Sequence, residues 1–263
     1  MRKLGVVLML AAVIGFSAEV TAQDFAWEID AGSVEQSDLD KQVKSLLNLF
    51  SSLAGSGFIN TAALHSVGGV DVRLSGIFTP IPDEFKDIIP TVQDPLEGVD
   101  YVPFAMFHGN IGLPANLEVY GRFFTLPLKG DPGGNVTLLG GGLKYGLLRG
   151  NLASPDITIM GGYQTILVPE QYNFGSVSTL SLKAYISKDF ALLTLYGGAG
   201  IDRTALSLNV PGLPPDINKD YDTVYPQGTV GLAFKLLPLL RVNIDANFGD
   251  YTAVGLGAGL SFR

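Results

Sequence analysis

The chain has 263 residues, of which 16% are charged and 47% hydrophobic, with a formal net charge of −8, 33 glycines and no cysteine. This composition excludes a disordered chain, which would be poor in apolar residues, and it excludes a disulfide scaffold and a thiolate metal site. The acidic balance argues against nucleic acid as a partner, because binding phosphate needs a basic surface.

The first 22 residues have the pattern of an export signal. Arg2 and Lys3 precede an uncharged apolar run at 4–16, and the small residues of Val20-Thr21-Ala22 fit a cleavage site. A permanent membrane anchor would need about 18 or more apolar residues. We therefore predict that residues 1–22 are a cleaved signal peptide.

Residues 23–57 are predicted to form an N-terminal segment that contains an amphipathic helix. Two sets of side chains alternate at helical spacing, one apolar (Leu39, Val43, Leu46, Leu47, Phe50 and Leu53) and one polar (Asp38, Asp40, Lys41, Lys44, Asn48 and Ser51). We expect this helix to pack into or beneath the mouth of a barrel. An anchor at the membrane interface and a site for a periplasmic partner are the alternatives.

Residues 58–263 show the period-two alternation of membrane-spanning strands. The mean hydropathy of +0.31 without an apolar helix of spanning length favours a closed barrel, in which every backbone polar group finds a partner strand. In the last segment Val254, Leu256 and Leu260 point to one side, opposite mainly glycines. Ten such segments occur, at 70–78, 101–108, 116–126, 136–147, 156–167, 179–186, 193–202, 229–236, 241–248 and 251–262. We predict an all-β fold, an antiparallel transmembrane β-barrel of about ten strands, within a range of roughly 8 to 12.

A soluble barrel such as a lipocalin is the alternative, with its apolar face turned inward. The polar side of the segments is rich in small residues, which suit a narrow lumen better than a water-facing exterior. Connection lengths favour the membrane barrel as well. The longest predicted connections, 79–100 and 203–227, fall on the same side, as long loops do in outer-membrane barrels.

The last strand and several motifs resemble known outer-membrane proteins. The closing strand that ends in Phe262 resembles the C-terminal recognition signal of Gram-negative outer-membrane proteins, with Arg263 added after it. The amphipathic helix, followed by Asn60-Thr61-Ala62-Ala63-Leu64-His65, Ile81-Pro82-Asp83 and Gly140-Gly141-Gly142-Leu143-Lys144, resembles a group of outer-membrane barrels classified only as a domain of unknown function. The resemblance implies a bacterial outer-membrane location, contact with outer-membrane lipid, and recognition of the last strand by the barrel-assembly machinery. It implies no activity.

Candidate catalytic groups are few. His65 and His108 are the only histidines, so any serine and histidine mechanism must use one of them. His65 precedes Ser66, but no carboxylate stands at a convincing spacing, and we predict a structural hydrogen bond for His65 and a strand-end position for His108. The glycines at 140–142 lack the Lys-Ser/Thr pair of a phosphate loop. We predict no catalysis, no cofactor and no metal site.

Charged residues on the predicted polar face form the candidate site. They are Asp71, Arg73, Glu118, Arg122, Lys144, Lys183, Asp202, Lys235, Arg241 and Asp245. The interior of a barrel of about ten strands is mostly filled, so we expect opposite charges to pair and close the lumen. The alternative is a narrow pathway for a small solute or ion, with Arg122, Lys144 and Arg241 as selectivity groups.

The predicted function is therefore a structural or narrow-pore role in the bacterial outer membrane. A transporter of small or hydrophobic solutes is the first alternative, and an outer-membrane lipid-modifying enzyme is the second.

Overall fold

The computed structural model describes residues 36–80, 101–128, 134–169, 175–208 and 219–262. The predicted signal peptide and the Ile81-Pro82-Asp83 motif lie outside these ranges. One helix, α1 (Gln36–Gly55), precedes the strands. The strands are β1 (Val70–Pro80), β2 (Tyr101–Leu113), β3 (Leu117–Leu128), β4 (Gly134–Leu148), β5 (Asp156–Leu167), β6 (Gly175–Phe190), β7 (Leu193–Leu208), β8 (Asp220–Lys235), β9 (Leu240–Phe248) and β10 (Ala253–Phe262).

The ten strands form one closed antiparallel barrel. Each strand pairs with the next along the chain, and β1 pairs with β10, where Val70 lies opposite Phe262. The predicted fold class is confirmed.

The alternation along each strand separates an apolar exterior from a polar lumen. In β10, Val254, Leu256 and Leu260 are between 42% and 47% exposed, whereas the intervening residues are buried. Large apolar side chains are exposed in the same way on all ten strands. This is the reverse of the lipocalin arrangement, and it is the distribution that a barrel surrounded by lipid requires.

Within the described ranges, no helix combines the length and the apolar character needed to cross a membrane.

The two ends of the barrel differ in their connections. We call the end at which β1 begins and β10 ends the turn end, and its connections are 114–116, 149–155, 191–192 and 236–239. The opposite end, the loop end, carries 81–100, 129–133, 168–174, 209–219 and 249–252. The predicted connection 203–227 was too long, because β7 continues to Leu208 and β8 begins at Asp220. Pro226 lies within β8 with its side chain exposed.

Glycines on the lumen face make room for tyrosines. A Cβ atom at Gly162 would overlap the hydroxyl of Tyr120, and one at Gly231 would overlap the ring of Tyr196. Each tyrosine therefore packs closely against a glycine of the wall, as expected where side chains fill a narrow barrel.

The helix α1 enters the lumen. Val43, Leu47, Phe50 and Leu53 are buried, as the apolar stripe predicted. Ser51 was expected on the solvated side and is instead fully buried. Its Oγ donates to the carbonyl of Leu47 and lies 2.7 Å from the Oγ1 of Thr204 in β7, because the second half of α1 is surrounded by the barrel wall.

After Gly55 the chain continues through the lumen to Gly69 and then enters β1. The boundary predicted between residues 57 and 58 falls inside this stretch. We call residues 47–66 the lumenal segment. Phe58 and Ile59 of this segment pack with Tyr120, Tyr185 and other wall side chains in one apolar cluster.

Candidate functional site in the barrel lumen

Two arginines of the wall bind main-chain oxygens of the lumenal segment. Arg122 of β3 donates from Nη1 to the carbonyl of Ala54 (2.6 Å) and from Nη2 to the carbonyl of Ser56 (2.9 Å). Its guanidinium also lies 3.9 Å from the ring centroid of Phe58. Arg73 of β1 donates from Nη2 to the carbonyl of Phe58 (2.9 Å).

A lysine of the wall completes this arrangement. Lys183 of β6 donates from Nζ to the carbonyl of Gly55 (2.7 Å) and forms an ion pair with Asp202 of β7 (2.8 Å). It also donates to Oε1 of Gln227 (2.7 Å). We call Arg73, Arg122 and Lys183 the carbonyl clamp.

The carbonyl clamp meets the end of α1, where a helix leaves its last carbonyls without partners and carries a partial negative charge. A helix often neutralises this charge with basic residues of its own last turn, but α1 has none there. Arg122 and Lys183, from two separate strands, supply the charge at Ala54 and Gly55, and Arg73 binds the carbonyl of Phe58 just beyond the helix. The clamp thus stabilises the end of α1 and holds it against the wall.

A second group of contacts lies at the turn end. Nδ1 of His65 is 2.7 Å from Oε2 of Glu118, and its Nε2 is 3.0 Å from Oγ of Ser261. Lys144 donates to Oε1 of Glu118 (2.9 Å) and to Asn110 (2.9 Å). We call Ser261, His65, Glu118 and Lys144 the rim network. All four residues are buried.

The atoms of the rim network stand in the order of a serine, histidine and carboxylate relay. One ring nitrogen of His65 faces the serine hydroxyl and the other faces the carboxylate, which is the arrangement that activates a serine nucleophile. Sequence reasoning considered only Ser66 for this role and found no carboxylate. Glu118 and Ser261 lie far from His65 in the sequence, and barrel closure brings them together.

The other predicted lumen residues occupy separate positions. Asp71 accepts a hydrogen bond from Asn110 (3.1 Å), and Arg241 is buried at 8% exposure. Asp245 accepts hydrogen bonds from three side chains of the lumen: Tyr196, Asn243 and Asn247. Lys235 lies at the turn end, where it is partly exposed and pairs with Asp189 (2.7 Å).

The expectation that lumen charges pair with one another describes part of this arrangement. Lys144 with Glu118 and Lys183 with Asp202 are such pairs, whereas Arg122 and Arg73 bind carbonyls of the lumenal segment. His108 also differs from expectation. It is buried in the interior of β2, because that strand continues to Leu113.

In the part of the chain that the structure describes, no three potential ligands from His, Cys, Asp and Glu form a group. The lumenal segment occupies the lumen. An apolar exterior, a closed ring of strands and a polar, occupied interior together define a transmembrane β-barrel with an internal plug.

The chain belongs to a family of unknown function, DUF6588, whose model matches residues 85–262. The match covers β2 to β10, and the lumenal segment precedes it. A search of curated proteins found no match.

Solved structures of outer-membrane barrels are distantly similar. The N-terminal β-barrel domain of Pseudomonas aeruginosa OprF is 13% identical, with a TM-score of 0.33 over 75% of this chain and 100% of that one. Ail of Yersinia pestis is 12% identical, with a TM-score of 0.32 over 75% and 100%. The translocator domain of the autotransporter NalP from Neisseria meningitidis is 10% identical, with a TM-score of 0.39 over 88% and 100%.

Proposed function

We propose that the protein is an integral barrel of the bacterial outer membrane, closed by its own lumenal segment, with a structural role in the envelope and without catalysis. The observation that supports this role is the carbonyl clamp at the centre of the lumen. Displacing the segment would leave three buried cations without their carbonyl partners, and uncompensated buried charge costs several kcal/mol, on the order of 3 to 5. The barrel should therefore remain closed.

The apolar exterior makes outer-membrane lipid the surroundings of the barrel. The long connections at the loop end would face the cell exterior, in keeping with the general arrangement of such barrels. The barrel-assembly machinery is the partner proposed for β10, whose terminal Phe262 is exposed towards lipid. A periplasmic partner of α1 stays a prediction, and it would require the opposite orientation, because Asn48 of α1 contacts Asp250 at the loop end.

Single-channel recording in planar bilayers tests closure. We expect the purified wild-type barrel to insert without conductance steps above the empty bilayer. A matched pair of cysteines, Ser51→Cys with Thr204→Cys, would tie the lumenal segment to β7, because the two hydroxyl oxygens are 2.7 Å apart. Steady conductance in the wild type that disappears in the oxidised double variant would overturn the structural role and establish the narrow pathway for a small solute or ion.

A transporter of hydrophobic solutes is less well supported than a closed barrel. The middle of the lumen is lined by charged and hydroxyl side chains, whose hydrogen bonds an apolar solute would have to replace without offering any in return. Towards the loop end the wall also carries buried apolar side chains, such as Phe124, Leu138 and Leu206. Retention of a fluorescent fatty acid by the wild-type barrel, absent in the oxidised double-cysteine variant, would favour the transporter instead.

A second candidate is hydrolysis of an acyl ester by the rim network. In this reaction Ser261 Oγ would attack the ester carbonyl while His65 accepts its proton, and His65 would return the proton to the departing alcohol. Water would then release the acid from the acyl-serine. Glu118 would orient the imidazole, and the position at the end of a membrane barrel favours a lipid as the ester.

A fluorophosphonate probe tests this candidate directly. Labelling of the wild type, lost in Ser261→Ala and in His65→Gln but kept in Ser66→Ala, would establish an activated serine. Ser66 is the matched control, because it is exposed and adjacent to His65. Equal absence of labelling in the wild type and all three variants would remove the enzyme and leave the rim network as a structural contact.

A further inference from the structure

The lumenal segment crosses the barrel from one end to the other. Its contacts with the wall follow one another in sequence order, each between 2.7 and 3.1 Å: Asn48 with Asp250, Ser51 with Thr204, Gly55 with Lys183, Thr61 with Ser187, and His65 with Ser261. Asp250 lies in the loop-end connection 249–252, whereas Ser261 precedes the last residue of β10 at the turn end. The segment therefore threads the whole lumen.

The positions of the contacted wall residues along their strands confirm the direction of the segment. Thr204 is near the loop end of β7, Lys183 is in the middle of β6, and Ser187 is near the turn end of β6. A plug inserted from the turn end as a hairpin would bring its first and last residues to the same end. The contacts run in a single direction instead.

The first half of α1 points out of the loop end. A helix rises about 1.5 Å per residue, so Gln36 lies roughly 18 Å from Asn48 along the helix axis. Lys44, one turn before Asn48, is exposed while its neighbour Val43 is buried, so this half of α1 has one solvated and one packed side, whereas residues 51–62 are all buried. The chain thus enters the barrel at the loop end and leaves it at the turn end.

We propose that the first turns of α1 lie on the loop-end face, so that the chain enters the barrel from that side and leaves it at Val70. Because Val70 fixes the other end of the segment at the turn end, the lumen is the route that joins the two. The loop-end face is the cell exterior under the proposed function, and this step rests on that function. The barrel then carries the chain from the outer face, at the start of α1, to the periplasmic face, at Val70.

Single-cysteine labelling tests this topology, because the chain contains no cysteine. Lys44→Cys reports the start of the lumenal path, Asp220→Cys reports the loop end, and Ala153→Cys reports the turn end. All three positions are exposed, and none belongs to the carbonyl clamp or the rim network. Intact cells are treated with a membrane-impermeant maleimide before and after permeabilisation of the outer membrane.

We expect Lys44→Cys and Asp220→Cys to be labelled fully on intact cells, and Ala153→Cys to be labelled only after permeabilisation. Protection of Lys44→Cys together with Ala153→Cys, while Asp220→Cys is labelled, would overturn the proposal. An epitope inserted before Gln36 and probed with antibody on intact cells gives a second readout, and it should behave as Lys44→Cys does.

The same three variants separate this proposal from the proposed function. If Ala153→Cys is labelled on intact cells and Asp220→Cys is protected, the orientation in the membrane is the reverse of the one proposed. Even in that case, the threaded path requires Lys44→Cys and Asp220→Cys to show the same labelling on intact cells. If Lys44→Cys is labelled as Ala153→Cys is, and not as Asp220→Cys is, the threaded path is contradicted in either orientation.

Discussion

The carbonyl clamp and the rim network hold the same segment by different chemistry. In the clamp, wall cations bind main-chain oxygens at residues 54–58, which are present whatever side chains those residues carry. In the rim network, the segment contributes the imidazole of His65, whose two nitrogens face Glu118 and Ser261. The clamp therefore depends on the path of the chain, and the rim network depends on the identity of one residue.

The largest expected effect comes from removing a clamp cation. Arg122→Ala removes two hydrogen bonds to carbonyls and the contact with the ring of Phe58. The carbonyl of Ala54 keeps its hydrogen bond from Gln164, but the carbonyl of Ser56 loses the donor Arg122 and a cavity is left. We therefore expect the free energy of unfolding to fall by about 3 to 5 kcal/mol. Urea unfolding in detergent, followed by far-ultraviolet circular dichroism, measures the change.

The control for this variant is Arg203→Ala on the same barrel. Arg203 pairs with Asp222, but the two side chains are 65% and 56% exposed, and exposed ion pairs contribute about 0 to 1 kcal/mol. An Arg122→Ala variant no less stable than Arg203→Ala would show that the clamp does not hold the segment.

The next effect tests the rim network. His65→Ala removes the two ring contacts and leaves Glu118 with Lys144 and the backbone N–H of residue 65. We expect a loss of about 1 to 3 kcal/mol, the usual cost of leaving a buried polar partner unsatisfied. The same unfolding experiment measures it, and Ser66→Ala, on the exposed neighbour, should change the free energy by less than about 0.5 kcal/mol. Equal values for the two variants would mean that His65 adds nothing to the attachment.

The same contrast separates what the sequence could predict from what it could not. Period-two alternation identified all ten strands and the outward face of β10, because a strand buried on one side must alternate. It also placed Arg122 and Lys183 on the lumen face. Their partners were not predictable, because every residue has a carbonyl and the pattern carries no sign of which ones meet a cation.

The rim network was also not predictable from the sequence, because only closure of the barrel brings its residues together. His65 is separated from Glu118 by 53 positions and from Ser261 by 196. A spacing argument detects groups on one element, whereas these three come from an extended segment and from two strands that the barrel brings together. The error at 203–227 had a local cause, since Pro214, Pro215 and Asp216 are typical of loops and the predicted loop was extended from them into β8.

An effect of similar size tests the packing between the clamp and the rim network. Gly162→Ala would place a methyl group against the hydroxyl of Tyr120, and overpacking of this kind costs about 1 to 3 kcal/mol. Gly121→Ala is the matched control, because an added Cβ there meets nothing closer than 3.9 Å. Adding Tyr120→Phe, which removes the hydroxyl, should restore part of the stability lost in Gly162→Ala. A Gly162→Ala variant as stable as Gly121→Ala would show that Tyr120 has room to move.

The smallest effect gives the most direct test of main-chain recognition. Ser56→Ala keeps the carbonyl that Arg122 binds and removes only the hydroxyl, which donates to Ser52 and accepts from Gln227. We expect a loss of about 0.5 to 1.5 kcal/mol, the net contribution of ordinary hydrogen bonds. This loss in the free energy of unfolding is smaller than the loss expected for His65→Ala and much smaller than the loss expected for Arg122→Ala under the same conditions. If Ser56→Ala were as damaging as Arg122→Ala, the side chains of the lumenal segment would determine its attachment, and the distinction between the clamp and the rim network would be lost.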